Sequence, residues 1–250
     1  MISKKWLKYI NSLQIKKYRQ EHQTFLVEGS KSVLELLKSN LKVEIVFCSE
    51  SFHDEYHLLF GRRPFELCSE EELTKAGSFE NNNAAIAIVA IPAKLSIEAF
   101  SNKGIVLVLD GIRDPGNLGT IIRTADWYGI EHIVCSEDTT DVYSPKVIAA
   151  TMGSFARVQV DYKNLIHFLE DQHSKTVYGA FLEGDNLHQA KLTSNNDSII
   201  VIGNESQGID RTLLPFITKK IHIPGSGRAE SLNAGIATAI ILDNFFRANG

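Results

Sequence analysis

Four largely apolar runs recur through the second half of the chain: "IVLVL" at 105–109, "HIVC" at 132–135, "TVYGAFL" at 176–182 and "IIVI" at 199–202. Helix-like segments separate them. The runs are apolar at consecutive rather than alternate positions, which is the pattern of strands buried on both faces. Such strands alternating with helices predict an α/β fold on a parallel sheet covered from both sides.

The first half is organised differently. "TFLVEG" (24–29) and "VEIVFCS" (43–49) read as strands, with "SKSVLELLKS" helical in period between them. Ser69 with Glu72 three residues on forms a capping box that opens another helix. "NNNAAIAIVAIP" then gives a turn and a strand, and "PAKLSIEAFSNKG" reads as a linker. A length of 250 residues suits two small domains. The boundaries fall at 1–95, a linker at 96–103, and 104–250. There is no internal repeat and no low-complexity segment.

Several function classes drop out. The longest apolar run, Ala84–Ile91, is too short to span a membrane and ends at Pro92. The basic start lacks the continuous apolar core of a secretory signal. Cys48, Cys68 and Cys135 are odd in number and scattered, forming neither a disulfide framework nor a CxxC site, so a reducing cytoplasm is expected. His53 and His57 have helical i, i+4 spacing, but Asp54 stands where a zinc helix needs Glu and no third ligand suggests itself. They are expected to be surface histidines, and no metal site is expected. "GNESQG" is not a nucleophile elbow, and no dinucleotide fingerprint follows any strand.

Net charge of −4 argues against bulk nucleic-acid binding. Its distribution is uneven: residues 1–20 carry Lys4, Lys5, Lys8, Lys16, Lys17 and Arg19 with no acid. That arm is either a phosphate-contacting patch or the solvated face of an amphipathic helix.

Three glycine-containing junctions each follow an apolar strand: "LVLDGIRDPGNLGTIIRTADWYGI" (107–130), "IIVIGNESQGI" (199–209) and "IHIPGSGRAESLNAGIATAIIL" (221–242). The first begins like a P-loop, Gly111-x4-Gly116, but Asn117 and Leu118 replace the phosphate-gripping Lys and its neighbour. Ordinary βα turns explain the glycines. They do not explain the polar residues beside them, Asn117, Arg123, Asn204, Glu205, Ser231 and Asn233, which favour a ligand site. Leu118, Ile121, Ile122 and Ala125 share one helical face, and Arg123 lies on the polar side.

In order and separation, "NLGTIIRTA", "IGNESQGI" and "IP…ESLNAGIATAI" closely resemble motifs one, two and three of the SpoU (TrmH-like) RNA 2′-O-ribose methyltransferases of the SPOUT superfamily. The likeness runs through "SPKVIAATMGSFARV" (144–158). "KYRQEHQTFLVEGSKSVLELL" more weakly resembles the small RNA substrate-binding domain that precedes the catalytic domain in many members. The resemblance implies a SPOUT parallel-sheet domain with a trefoil knot, which general rules of chain topology would not suggest. It also implies a homodimer, S-adenosyl-L-methionine as methyl donor, no metal, and RNA as substrate, with ribosomal RNA favoured over transfer RNA by the N-terminal domain.

The same resemblance places cofactor contacts at Gly203, Asn204, Ile223 and Leu232. It places Arg123 at the ribose 2′-OH, with Asn117, Glu205, Ser231 and Asn233 around it as positioning residues. A guanidinium stays protonated, so stabilising a developing alkoxide or clamping a phosphate suits Arg123 better than acting as a base. Two positions depart from common family patterns: Gly225 where Met often stands, and Ala149 where many relatives carry Arg. Arg157 or Arg228 are the candidates to supply a missing RNA contact. The rival readings are a non-catalytic RNA-binding protein on the same scaffold, and an α/β protein for another adenine-containing ligand.

Overall fold

The computed structural model describes residues 1–93, 104–190, 192 and 198–247; the expected linker at 96–103 lies outside the described residues. In chain order the first half gives α1 (Lys4–Ser12), α2 (Lys16–His22), β1 (Thr24–Glu28), α3 (Ser30–Leu37), β2 (Val43–Cys48), α4 (Glu50–Phe60), β3 (Phe65–Leu67), α5 (Glu70–Ala76) and β4 (Ala85–Ala90). The second half gives β5 (Val106–Leu109), α6 (Pro115–Trp127), β6 (His132–Cys135), α7 (Pro145–Thr151), β7 (Gln159–Tyr162), α8 (Leu165–Glu170), β8 (Thr176–Asn186), β9 (Ser198–Ile202), β10 (Lys219–His222) and α9 (Ala234–Arg247).

The chain divides into two compact units, the first made of Met1–Ala93 together with Asp141–Arg157. Its sheet has the order β1-β4-β2-β3, with β4 antiparallel to both neighbours and β3 parallel to β2. Alternate residues of β1 and β4 feed two cores. Phe25, Val27, Ala87 and Val89 pack with Val33 and Leu36 of α3 and Phe52 of α4. Leu26, Ile86 and Ile88 pack with Ile10 of α1 and Leu73 of α5. Both halves of the Ser69–Glu72 capping box are present at the start of α5. Ile148 of α7 joins the first of these cores, which anchors the 141–157 segment there.

Arg19 behaves differently from the other basic residues of the arm. It is buried, ion-paired to Asp141 at 2.6 Å, and donates to the Leu13 carbonyl at 2.8 Å. It therefore braces the unit from inside and leaves the lysines as the exposed charges.

The second unit carries a six-stranded sheet in the order β10-β8-β9-β5-β6-β7, parallel throughout. This is the architecture expected from the consecutive apolar runs. Val106, Val108, Ile199 and Val201 face a core with Leu165, Phe168 and Leu169 of α8. On the opposite side α6 and α9 pack together, and Tyr178 of β8 meets Phe245 of α9 edge-on at 4.8 Å. The small residues of α9 serve that packing: a Cβ at Gly235 would lie 3.0 Å from Thr120 Cγ2. Two edge strands, β3 and β7, carry no apolar run in the sequence, because an edge strand needs only partial burial.

Candidate functional site

Adjacent parallel strands deliver their C-terminal ends to the same edge of a sheet, and ligand sites in open α/β folds are built there. Here β5 and β9 are neighbours in register, Leu109 opposite Ile202, so the first two glycine junctions emerge side by side.

The first junction is pinned from both sides. Gly111 has φ +67°, a left-handed conformation that a side chain would strain. Its N–H donates to Ser136 Oγ at 2.8 Å in the loop after β6. Its carbonyl accepts from Asn204 Nδ2 at 2.7 Å in the loop after β9. Asp110 takes the Asp210 N–H at 2.7 Å. Burial pushes the Asp110 carboxyl above the ordinary range; the Asp210 amide opposes this, and the Asp210 and Asp138 charges add to it. Asp114 then caps α6 by accepting the Asn117 N–H at 2.8 Å, with Pro115 in the first turn.

The second junction is a closed loop. Asn204 and Gly208 exchange backbone hydrogen bonds of 3.0 and 2.9 Å. Asn204 Oδ1 accepts from the N–H groups of Ser206 and Gln207 and from the Ser206 hydroxyl. Gly203 makes this closure possible, since a Cβ there would collide with the Gly208 carbonyl carbon. Glu205 projects from the exposed part of the loop.

Asn117 ties the three junctions together. Its Nδ2 donates to Glu205 Oε1 of the second, and its Oδ1 accepts from Asn233 Nδ2 of the third at 2.7 Å. Asn233 Oδ1 in turn accepts the Gly235 and Ile236 N–H groups at the start of α9, at 2.9 and 3.3 Å. The polarity of this chain is forced. Helix amides only donate and a carboxylate only accepts, so both intervening side-chain amides must point the same way.

The rest of the third junction is open. The backbone from Ile223 to Ser231 makes no hydrogen bond to another described residue. A Cβ at Gly225 or Gly227 would meet nothing within 4 Å. Ile223 is half-buried and Leu232 is 44% exposed, so free backbone groups are flanked by apolar side chains. Such a surface can sandwich a flat heteroaromatic ring while its amides and carbonyls read the ring edge.

Of the residues nominated from sequence, Asn117, Glu205 and Asn233 are directly bonded, Asn204 locks the first junction to the second, and Gly203 permits that loop. Ser231 is exposed two residues before Asn233. Arg123 stands apart: six residues beyond Asn117 on α6, it is displaced by about 9 Å along the helix and about 240° around it. It is exposed, as its helical position predicts, and bonds to no other described residue. Arg157 pairs with Glu35 at 2.6 Å. Sequence reasoning missed Asp110, Asp114 and Ser136. Asp114 was findable as an N-cap ahead of Pro115; Ser136 carries no local signal. Among the described residues no cluster of His, Cys, Asp or Glu could hold a metal, and no helix is long and apolar enough to cross a membrane.

Comparison with known proteins agrees with this fold. The model of the SpoU rRNA Methylase family matches residues 104–243, and that of the MRM3-like substrate binding domain matches residues 4–87. The chain is 31% identical over 232 residues to the 23S rRNA (guanosine(2553)-2′-O)-methyltransferase RlmP of Bacillus subtilis, covering 92% of this chain and 91% of the relative. A TrmH-family structure from Porphyromonas gingivalis superposes with TM-score 0.85 at 34% identity, covering 98% of each chain. An AdoMet-bound rRNA methyltransferase from Sinorhizobium meliloti superposes with TM-score 0.87 at 28% identity, covering 100% of this chain and 98% of the other. With its parallel sheet and three bonded junctions, the chain belongs to the SpoU family of RNA methyltransferases.

Proposed function

We propose that this chain transfers a methyl group from S-adenosyl-L-methionine to the 2′-hydroxyl of a ribose in RNA, with ribosomal RNA the favoured substrate. The observation that carries the reading is the Asn117 bridge, which joins Glu205 and Asn233 from three separate junctions into one polar constellation. The cofactor, when bound, supplies an electrophilic sulfonium methyl group. Ile223 and Leu232 would flank its adenine, with the backbone groups between them reading the ring edge. Gly203 and Asn204, which close the second junction, would hold that loop against it.

The chain's own residues handle the hydroxyl. The free carboxylate oxygen of Glu205 and the Ser231 hydroxyl orient the ribose. Arg123 stays protonated and stabilises the oxygen as negative charge develops on it, or clamps the neighbouring phosphate. Alignment of hydroxyl and methyl supplies much of the rate.

Residues 1–95 act as the substrate-binding domain and 104–250 as the transfer domain. The trefoil knot belongs to the same reading, made where the C-terminal segment threads a loop. A homodimer is supported by apolar side chains left exposed on α6 and α9: Trp127 at 84%, Ile236 at 53%, and Phe246. Three buried free cysteines and an RNA substrate support the cytoplasm. Calorimetry of the full-length protein with S-adenosylmethionine in chelator-treated buffer tests the cofactor assignment. Saturable binding without metal is expected, and its absence in folded protein would overturn the assignment.

A further inference from the structure

We propose that the groove between α1, α2 and β2 in the first unit is a stacking site for an unpaired guanine in the RNA. The proposal rests on RNA being the substrate, and it concerns a surface remote in sequence from the three junctions.

The groove has a volume of about 740 Å³ and is lined by aromatic and basic side chains together. Trp6, Tyr9, Tyr18 and His22 supply the rings. Trp6 and Tyr9 are held in place. Trp6 meets Phe47 edge-on at 5.5 Å, and the Tyr9 hydroxyl is hydrogen-bonded to Thr24 Oγ1 at 2.9 Å. Tyr18 and His22, one turn apart on α2, lie within 15° of parallel. Fixed rings lose little freedom on binding, so a base stacked on them keeps most of its contact energy.

The charges complete the site. Lys5 and Lys8 line the groove, and Lys4, Lys16 and Lys17 are exposed on the same two helices. None of the five forms an ion pair with another described residue, and residues 1–20 contain no acid to neutralise them. Arg19 is turned inward to Asp141 and takes no part. Lysines that track phosphates beside rings that accept bases form the combination used for single strands; paired bases cannot offer their faces.

Among the described residues Glu44 from β2 is the one carboxylate on the groove wall. A carboxylate offers two acceptors side by side. Among the four RNA bases only guanine presents two adjacent donors, N1–H and N2–H2, on its Watson–Crick edge. Each of the other three has a single donor group on that edge, with an acceptor beside it. Glu44 therefore selects guanine, whereas the rings alone would accept any base.

The test uses the full chain carrying Trp127→Phe, which leaves Trp6 as the only tryptophan. The probes are the oligoribonucleotide 5′-UUUGUUU-3′, the same strand with A, C or U at the centre, and a blunt RNA duplex. The guanine strand should quench Trp6 fluorescence and bind at least tenfold more tightly than its three variants, and the duplex should not quench. Tyr18→Ala and His22→Ala should each weaken binding about 5- to 100-fold, as loss of base stacking does, with Tyr18→Phe restoring it. Replacing Lys5 and Lys8 together by Ala should flatten the salt slope by about 1.4, at 0.7 per phosphate contact. Glu44→Gln should abolish the preference for guanine while binding to the other strands persists. S-adenosylmethionine affinity, measured on every variant, should not move; it reports folding and separates failure of this groove from failure of the methyltransferase reading. Equal quenching by the duplex, no effect of Tyr18→Ala in protein that still binds S-adenosylmethionine, or displacement of the RNA by an equimolar acidic peptide would each overturn the proposal, the last pointing to a protein partner.

Discussion

Asn233 donates its side-chain amide to Asn117 Oδ1 at 2.7 Å, across 116 residues of sequence. The bond fixes the Asn117 amide so that its own N–H can reach only an acceptor, and that acceptor is Glu205. The start of α9, the start of α6 and the loop after β9 are thereby held as one object. A site assembled this way depends on the amide at position 117.

Asn117→Asp should separate assembly from folding. Asp is nearly isosteric and still accepts from Asn233, but it sets a carboxylate against Glu205. We expect methyl transfer to fall by about two orders of magnitude or more, as loss of a positioned group commonly costs. Stability should fall by about 1.5–3 kcal/mol, the range for a lost hydrogen bond to a charged group. Single-turnover kinetics and thermal unfolding read the two effects. Adding Glu205→Gln should recover part of the lost stability, because Gln removes the like-charge contact and can donate to the carboxylate introduced at position 117.

Two glycines give opposite expectations. Gly203→Ala forces a methyl group into the Gly208 backbone, so the loop must open. A loss of about 1–3 kcal/mol in stability should accompany weaker S-adenosylmethionine binding. Gly225→Ala meets open space and should leave the stability within about 0.5 kcal/mol of wild type. Calorimetry and thermal unfolding of the pair check both.

Asp110 predicts a pH dependence. Its carboxyl is pushed up chiefly by burial, with the Asp210 and Asp138 charges adding to the shift. An acid with a raised folded pKa destabilises the protein above that pKa, and the penalty disappears as pH falls below the ordinary carboxylate value. Asp110→Asn keeps an oxygen for the Asp210 N–H. It should therefore raise the melting temperature at neutral pH, with the gain shrinking as the solution is acidified. A gain that grew in acid would contradict the sign.

Much of this was legible in the sequence. Consecutive apolar runs gave the parallel sheet because doubly covered strands must be apolar on both faces, and Ser69 and Glu72 marked a helix start that the structure keeps. Asn117, Glu205 and Asn233 stood out as polar residues at glycine turns, yet their mutual bonding depends on strand order, which local pattern does not encode. Arg19 illustrates the limit most clearly. In sequence it is one more cation of a basic arm; its burial is decided by Asp141, 122 residues away. Ser136 supports Gly111 through a contact equally invisible to local reading.

Arg123 outside the polar network predicts a particular phenotype. Arg123→Ala should fold, bind S-adenosylmethionine as wild type does, and lose roughly two or more orders of magnitude in transfer. Arg123→Lys keeps the charge but not the planar fork, so it should be nearly as inactive if the guanidinium clamps ribose and phosphate together. Substantial rescue by Lys, with a rate that climbs at alkaline pH, would instead assign proton removal to this position.

The most direct measurement uses full-length protein, methyl-labelled S-adenosylmethionine and ribosomal RNA lacking ribose methylation, followed by digestion to nucleosides and mass spectrometry. Label is expected on a ribose 2′-oxygen, at a linkage that becomes resistant to alkaline cleavage, and should be lost with Asn117→Asp or Arg123→Ala. Label on a base, or no transfer by protein that binds both the RNA and S-adenosylmethionine, would contradict it.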